Sequence, residues 1–474
     1  MVFSSMIFLW IFLPLTLIVY YALQLLTRAA GKDGQTLQNI WLLLMSVLFY
    51  SWGEPRYIVL LICSILLNFA GGMGIHFAGE NLKTKKAVLA VCVCLNLLLL
   101  GYFKYYNFAA GLLNGLTGTE TLPVKNIVLP IGISFYTFQA MSYVIDLYRG
   151  KTRVQKSFYK LALYITFFPQ LIAGPIVRYR DIAEQIDQRT LSVEKFTSGV
   201  QRFVLGLAKK VLIANTMAKG ADLIFDMDFT YLNTTLAWAG IILYALQIYY
   251  DFSGYSDMAI GLGRMFGFEF LENFNLPYIS ASVREFWRRW HISLSTWFKE
   301  YLYIPLGGNR KGNMRTYLNL LIVFFATGLW HGAGETFVVW GLFHGLFLVL
   351  ERIFLGKLLD KNPIRPLNHI YTLLIVLIGW VFFRADTLPQ AGEYITAMFC
   401  PRYPLQYTLT ELFGRRCLVT ALFGILFAGV LPAGLMKRAS DNAVFRLLYV
   451  PVLLFFCIIL LASDAYNPFI YFRF

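Results

Sequence analysis

The sequence predicts an all-α, polytopic membrane protein, with about 11–12 transmembrane helices plus re-entrant and interfacial helices. Three observations predict it. Of the 474 residues, 58% are hydrophobic and only 14% charged, where a soluble globular chain carries roughly 25% charged residues. Aromatic residues make up 17%, which suits rings packed inside a bilayer and at its interfaces. Apolar runs near the spanning length of about 20 residues recur along the whole chain. A soluble multi-domain enzyme and a disordered chain are both excluded by these figures.

The candidate spans are roughly 3–26, 37–52, 57–78, 87–103, 127–147, 158–177, 203–225, 234–263, 316–330, 335–350, 367–383, 416–436 and 447–463. No region is free of them and no internal repeat is visible. The chain therefore reads as a single membrane domain over 1–474, with 264–315 as a cytoplasmic or interfacial segment within it. Met1 to Ser5 carries no positive charge and no small-residue cleavage site follows. The first run is thus expected to be a retained helix rather than a signal peptide.

The net charge is +15. Its basic residues sit between apolar runs, so cytoplasmic loops explain them better than nucleic acid does, and no nucleic-acid partner is expected. Attraction of anionic lipid heads or an anionic co-substrate is a further reading. Arg28 and Lys32, then Lys83, Lys85 and Lys86, then Arg149, Lys151, Arg153 and Lys156 follow alternate spans. They fall on one side, which the charge rule makes cytoplasmic, and the N-terminus is then outside. A multi-pass protein of the inner or plasma membrane is expected.

The sixth run breaks the alternation, with basic residues on both flanks. Pro169 and the Gly174-Pro175 pair interrupt a straight helix. A re-entrant hairpin fits, tolerated only where protein or a water-filled cavity surrounds it; a kinked helix is the alternative. In 264–315, Trp287, His291, Leu294 and Phe298 recur at helical spacing on one face, with Arg284, Arg288 and Lys299 on another. This predicts an amphipathic helix at the cytoplasmic boundary.

Five histidines carry the candidate chemistry. His331 stands in Gly328-Leu-Trp330-His331-Gly-Ala-Gly334, between two runs that together read as a hairpin. A 15-residue helix rises about 22 Å, so His331 is expected deep in a hydrocarbon layer about 30 Å thick. Gly332, Ala333 and Gly334 are expected to leave room beside its ring. An ionisable group at that depth marks a functional site by default, and desolvation should keep it neutral and able to accept a proton. A buried histidine bonded to a neighbouring helix is the alternative. His291 follows Trp290 on the apolar face of the boundary helix, where it could meet a cavity under His331 or simply bond a backbone carbonyl. His344 is expected to pack, and His76 and His369 flank spans near basic loops.

No zinc-protease, serine-hydrolase, P-loop or dinucleotide pattern competes. Gly261, Gly263 and Gly267 match a dinucleotide spacing only loosely, with no strand before them. Asp251 and Asp257 are about 240° apart on a helix, so hydrogen bonding is expected of them rather than a metal pair. No metal is expected. Cys63, Cys92, Cys94, Cys400, Cys417 and Cys457 show no metal spacing and are expected to be small core residues.

Long stretches nonetheless resemble one family. Phe286 to Gly312 (FWRRWHISLSTWFKEYLYIPLGGNRKG) and Gly328 to Gly345 (GLWHGAGETFVVWGLFHG) resemble the membrane-bound O-acyltransferases. So do Tyr249 to Tyr278, AGPIVRY from Ala173, WVFFRA from Trp380, and the closing NPFIYFRF from Asn467. Leu306-Gly-Gly308-Asn-Arg310 looks most like the alginate O-acetylation branch; the teichoic-acid D-alanylation branch is similar but less close. The resemblance implies the MBOAT fold, with a funnel open to one side and a narrow tunnel to the other. It implies His331 as the catalytic histidine and His291 as the second. It further implies an acetyl-coenzyme A or acyl-carrier thioester donor, a polysaccharide acceptor and an extracytoplasmic partner of the SGNH-hydrolase type. Arg284, Arg288, Arg289 and Lys299 would attract donor phosphates, or merely lipid heads. No permanently bound cofactor is expected. D-alanyl transfer, a polysaccharide or lipid transporter, and a membrane scaffold are the rival readings.

Overall fold

The computed structural model describes residues 1–401, 408–431, 443–463 and 466–470. Every regular element among them is helical, as the composition predicts. Among the described residues six helices are long and apolar enough to cross a membrane: Phe8–Ala29, Ile58–Phe77, Leu82–Thr117, Glu335–Lys361, Arg365–Arg384 and Leu409–Gly429. The other expected spans fold as helices that are shorter, less apolar or more charged. The end of the 416–436 run and the last four residues of NPFIYFRF lie outside the described residues. Contacts gather the chain into two compact units, Met1–Phe203 with Ser256–Leu271, and Val204–Tyr255 with Glu272–Phe474.

The first unit holds α1 (Leu13–Ala29), α2 (Gln35–Gly53), α3 (Ile58–Phe77), α4 (Leu82–Thr117), α5 (Ile133–Tyr148), α6 (Phe158–Thr166), α7 (Phe168–Leu171), α8 (Tyr179–Asp187) and most of α9 (Val193–Ala208). Helices α3 and α4 are joined by a reciprocal amide pair, Asn68 and Asn96, each donating to the other at 3.1 Å. The sixth run is broken at Phe167, where ψ swings to 110°. Pro169 then falls in the first turn of α7, where its missing N–H costs nothing. The break frees backbone groups, and each of two finds a partner: Phe168 N–H donates to Ser46 Oγ at 3.1 Å, and Gln170 Nε2 donates to the Tyr164 carbonyl at 2.6 Å. Residues 161–177 are buried throughout. Irregular backbone is thus surrounded by protein, as an apolar setting requires.

The second unit continues with α10 (Asn215–Phe225) and the greater part of α11 (Thr234–Met265), whose last turns belong to the first unit. The Gly261 and Gly263 spacing is explained there by packing. A Cβ on Gly261 would lie 2.6 Å from the Gly199 carbonyl oxygen, and one on Gly263 2.9 Å from the Phe270 ring. Both intramembrane carboxylates are paired as expected: Asp257 with Arg202 at 2.7 Å in the first unit, and Asp251 with Lys210 at 2.7 Å in the second.

The rest of the second unit comprises α12 (Val283–Arg289), α13 (Ile292–Phe298), α14 (Gly312–His331), α15 (Glu335–Leu350), α16 (Gly356–Lys361), α17 (Arg365–Arg384), α18 (Leu388–Phe399), α19 (Leu409–Ile425) and α20 (Ala443–Ser463). Two expectations are corrected. The boundary helix is not continuous: α12 and α13 are separate, parted at Trp290 and His291. The cysteines are not all core residues, since Cys63, Cys94 and Cys400 are exposed while Cys92, Cys417 and Cys457 are buried.

Candidate active site

The site is built in the second unit. Helix α14 ends at His331 and α15 returns against it at backbone distance. A Cβ on Gly328 would lie 2.3 Å from the Phe337 carbonyl oxygen, and one on Gly341 2.2 Å from that of Phe324. Only glycine permits this approach, the small-residue packing of apolar media. The crossing fixes the tip, and His331 is only 4% exposed there. The space beside its ring is not left open by Gly332 as expected. A Cβ at Gly332 would lie 2.2 Å from the Phe337 ring, so Phe337 fills that space. Trp330, Trp340 and Phe383 box the imidazole at centroid distances of 4.9, 5.0 and 5.1 Å.

His291 reaches the same cluster by a different route. It occupies the left-handed region at φ 44° and ψ 55°, immediately before α13. A non-glycine residue there costs about 1–3 kcal/mol and persists only where neighbours enforce it. Asn273 does so. Its carbonyl accepts Ile292 N–H at 2.9 Å, and its Oδ1 accepts from Ser293 N–H at 3.1 Å and Ser293 Oγ at 2.9 Å. The same Oδ1 lies 3.2 Å from His291 Nδ1. Because that oxygen is an acceptor, Nδ1 carries the proton, and a neutral ring then presents a bare Nε2. Burial pushes the His291 imidazole down to about 3, so the ring is neutral. Nε2 is buried and has no hydrogen-bond partner among the described residues. The two rings lie 6.5 Å apart, centroid to centroid.

Beside the His331 ring is a cavity of about 10 Å³, lined by His331, Trp290, Trp340, Trp380, Phe383 and Ile470 among others. That is room for about one water. Ile470 is fixed from behind: its N–H donates to Asp251 Oδ2 at 2.7 Å, while Lys210 Nζ bonds the Pro468 carbonyl. On the outer side of α12 and α13, Arg284, Arg288 and Lys299 are exposed. Arg289 is committed locally, to Glu285 at 2.8 Å and the Asn275 carbonyl at 3.1 Å.

Two groups, Asn273 and Glu351, escaped the sequence reading, while His344 packs as expected. Asn273 lies 18 residues before His291 and carries no motif of its own. Glu351 accepts the first N–H groups of α12, from Val283 at 2.7 Å and Arg284 at 3.0 Å, and so anchors that helix by its N-terminus. His344 is fully buried against Trp287 and Trp340 at 5.2 and 5.3 Å. A Cβ on Gly379 would lie 2.6 Å from its Nε2.

Comparison with known proteins adds to this geometry. The model of the membrane-bound O-acyltransferase family, MBOAT, matches residues 151–385. The "Probable alginate O-acetylase AlgI" of Pseudomonas putida is 46% identical over 404 residues, covering 84% of this chain and 80% of the relative. The chain belongs to the membrane-bound O-acyltransferase family. It is therefore a multi-pass membrane O-acyltransferase. The "Peptidoglycan O-acetyltransferase" of Helicobacter pylori is 36% identical over 427 residues, 84% of this chain and 80% of that one. The "Teichoic acid D-alanyltransferase" of Bacillus subtilis is more distant, 26% identical over 276 residues, 55% of this chain and 68% of that one. The MBOAT match takes in both site histidines, Asn273 and the tryptophan box; Ile470 lies beyond it.

Proposed function

We propose that this MBOAT enzyme moves an acetyl group from a cytoplasmic thioester, such as acetyl-coenzyme A, across the membrane for O-acetylation of an exported polysaccharide. Alginate or a related polyuronate is the acceptor class, reached through an extracytoplasmic partner of the SGNH type. The observation that carries the reading is the pair of buried histidines, 6.5 Å apart in one aromatic box, within a chain 46% identical to a protein named for alginate O-acetylation.

His331 is the base in this reading. It takes the proton from the acceptor hydroxyl as that oxygen attacks the thioester carbonyl. The carbon–sulfur bond breaks, the thiolate leaves, and the imidazolium returns the proton to sulfur. Such catalysis contributes typically 10²–10⁴-fold. His291, held neutral by burial and oriented by Asn273, positions the carrier arm through its Nε2 or relays a proton. Arg284, Arg288 and Lys299 attract donor phosphates, with Arg289 bracing α12. A cavity of about 10 Å³ is too small for an acetyl group, so the rings lining it must shift when the donor enters.

The test is consumption of a labelled acetyl thioester by the reconstituted chain with its acceptor system. His331→Ala abolishes acetyl transfer while the protein stays folded; undiminished transfer would reject the assignment. D-alanyl transfer is the second reading. The weaker likeness to the D-alanyltransferase, 26% over 55% of this chain, places it behind, and labelled alanine in the product would promote it.

A further inference from the structure

One wall of the His331 cavity is held by charge. Ile470 lines that cavity and is buried. Residues 466–469 before it have no regular secondary structure, so the place of Ile470 depends on what grips them. Two buried charges do. Asp251 Oδ2 accepts the Ile470 N–H at 2.7 Å, and Asp251 Oδ1 meets Lys210 Nζ at 2.7 Å. Lys210 Nζ also donates to the Pro468 carbonyl. Phe469, between these two contacts, lies against the Tyr255 ring at 4.8 Å, and Tyr255 stands one helical turn beyond Asp251. The grip is prepared locally. At Lys209–Ala214 the helix widens into a π turn, a feature that recurs at functional sites. Gly254 lets α11 approach it: a Cβ there would lie 2.8 Å from the Gly206 carbonyl oxygen and 3.2 Å from the Lys210 nitrogen. Helix α11 also places Ile248 and Phe252, on either side of Asp251, at the cavity.

A buried ion pair is a poor source of stability, because desolvating both charges offsets their attraction. Ionisable groups at such depth mark function by default. What this pair does that two apolar side chains could not is bond the backbone on both sides of Phe469. We infer that Lys210 and Asp251 are positioning residues, and that they fix Ile470 as the wall that limits the transferred group to acetyl. The inference rests on acyl transfer at His331, as proposed above. The rings lining the cavity shift when a donor enters. Ile470 is tied through its own N–H and does not yield with them. The methyl of an acetyl group ends against it, whereas a propionyl or butyryl chain would overlap it. Apolar walls of this kind separate chains differing by one methylene by about 10–200-fold. Ile470 also lies outside residues 151–385, which the family model matches. The base and the limit on chain length thus come from different parts of the sequence.

The experiment offers the reconstituted full chain, with its acceptor system, labelled acetyl-, propionyl- and butyryl-coenzyme A in competition. The unaltered chain transfers acetyl at least about tenfold faster than propionyl. Ile470→Val, one methylene smaller, raises the propionyl-to-acetyl ratio about tenfold, and Ile470→Ala raises the butyryl-to-acetyl ratio by as much. Two double variants test the grip. Lys210→Met with Asp251→Leu keeps the volume and the fold but releases the backbone, so both ratios rise as in Ile470→Ala. Lys210→Gln with Asp251→Asn keeps a donor for the Pro468 carbonyl and an acceptor for the Ile470 N–H, and its ratios match those of the unaltered chain. Ratios unmoved in Ile470→Ala overturn the wall. Ratios unmoved in the apolar double variant, or raised equally in the amide one, overturn the positioning role. An unaltered chain that transfers all three groups alike overturns the inference while acyl transfer stands. A chain that transfers none overturns acyl transfer itself, and this inference with it.

Discussion

Two interrupted helices, one in each unit, differ in what they leave over. At Phe167 the chain breaks, and the freed groups of Phe168 and Tyr164 are met by Ser46 and Gln170. At His291 the chain breaks again, and Asn273 meets the backbone and Nδ1, but Nε2 is left as a buried acceptor without a partner among the described residues. An unmet polar atom in an apolar site costs stability. At the first break the atom without a partner among the described residues is Gln170 Oε1, on an amide already bonded to the Tyr164 carbonyl. The second keeps an atom in reserve, beside the ring of His331.

Variants that break this contrast should differ in kind as well as size. The largest loss is predicted for His331→Ala, about 10²–10⁴-fold or more in acetyl transfer, read with labelled thioester. Gly341→Ala is next. Its Cβ would meet the Phe324 carbonyl oxygen at 2.2 Å, which displaces the tip carrying His331, and an ångström-scale misplacement costs about 10²-fold; the folded fraction is followed by gel filtration in detergent. His291→Gln should lower transfer by about tenfold or more and should also change the pH response of stability. The folded ring takes up its second proton only as the pH falls to about 3, far below the ordinary 6.5. Its contribution is therefore complete above pH 6.5 and is lost as the pH falls toward 3, because the unfolded chain takes up a proton that the folded chain refuses. Unfolding midpoints measured across that window should decline less steeply in the glutamine variant. Ser46→Ala should act on stability alone, by about 1–3 kcal/mol for the stranded Phe168 N–H, with transfer per folded molecule unchanged.

The first break was legible in sequence because its cause is local. Pro169 cannot continue a helix from Ile165, so the chain must turn just before it. The second was not legible. Trp287, His291, Leu294 and Phe298 hold helical spacing straight across the break, and all four are buried, so the periodicity is real while the helix is not. Asn273 imposes the interruption from 18 residues away, and no local pattern between Trp287 and Phe298 announces it. The same limit applied to the cavity. Two Trp-His pairs flagged the histidines, but only the folded chain brings Trp340, Trp380 and Phe383 around His331 and shows Phe337 in the space beside Gly332. The all-helical membrane class needed none of this, since composition and the length of the apolar runs decide it.

The most direct measurement is the acetyl content of exported polysaccharide from cells whose only copy of this chain carries His331→Ala, set beside cells carrying Ser46→Ala at equal folded abundance. The account predicts polymer without acetyl groups in the first and ordinary acetylation in the second. Equal acetylation in both would contradict it, and would return the histidine at the tip of α14 to the status of a packed core residue.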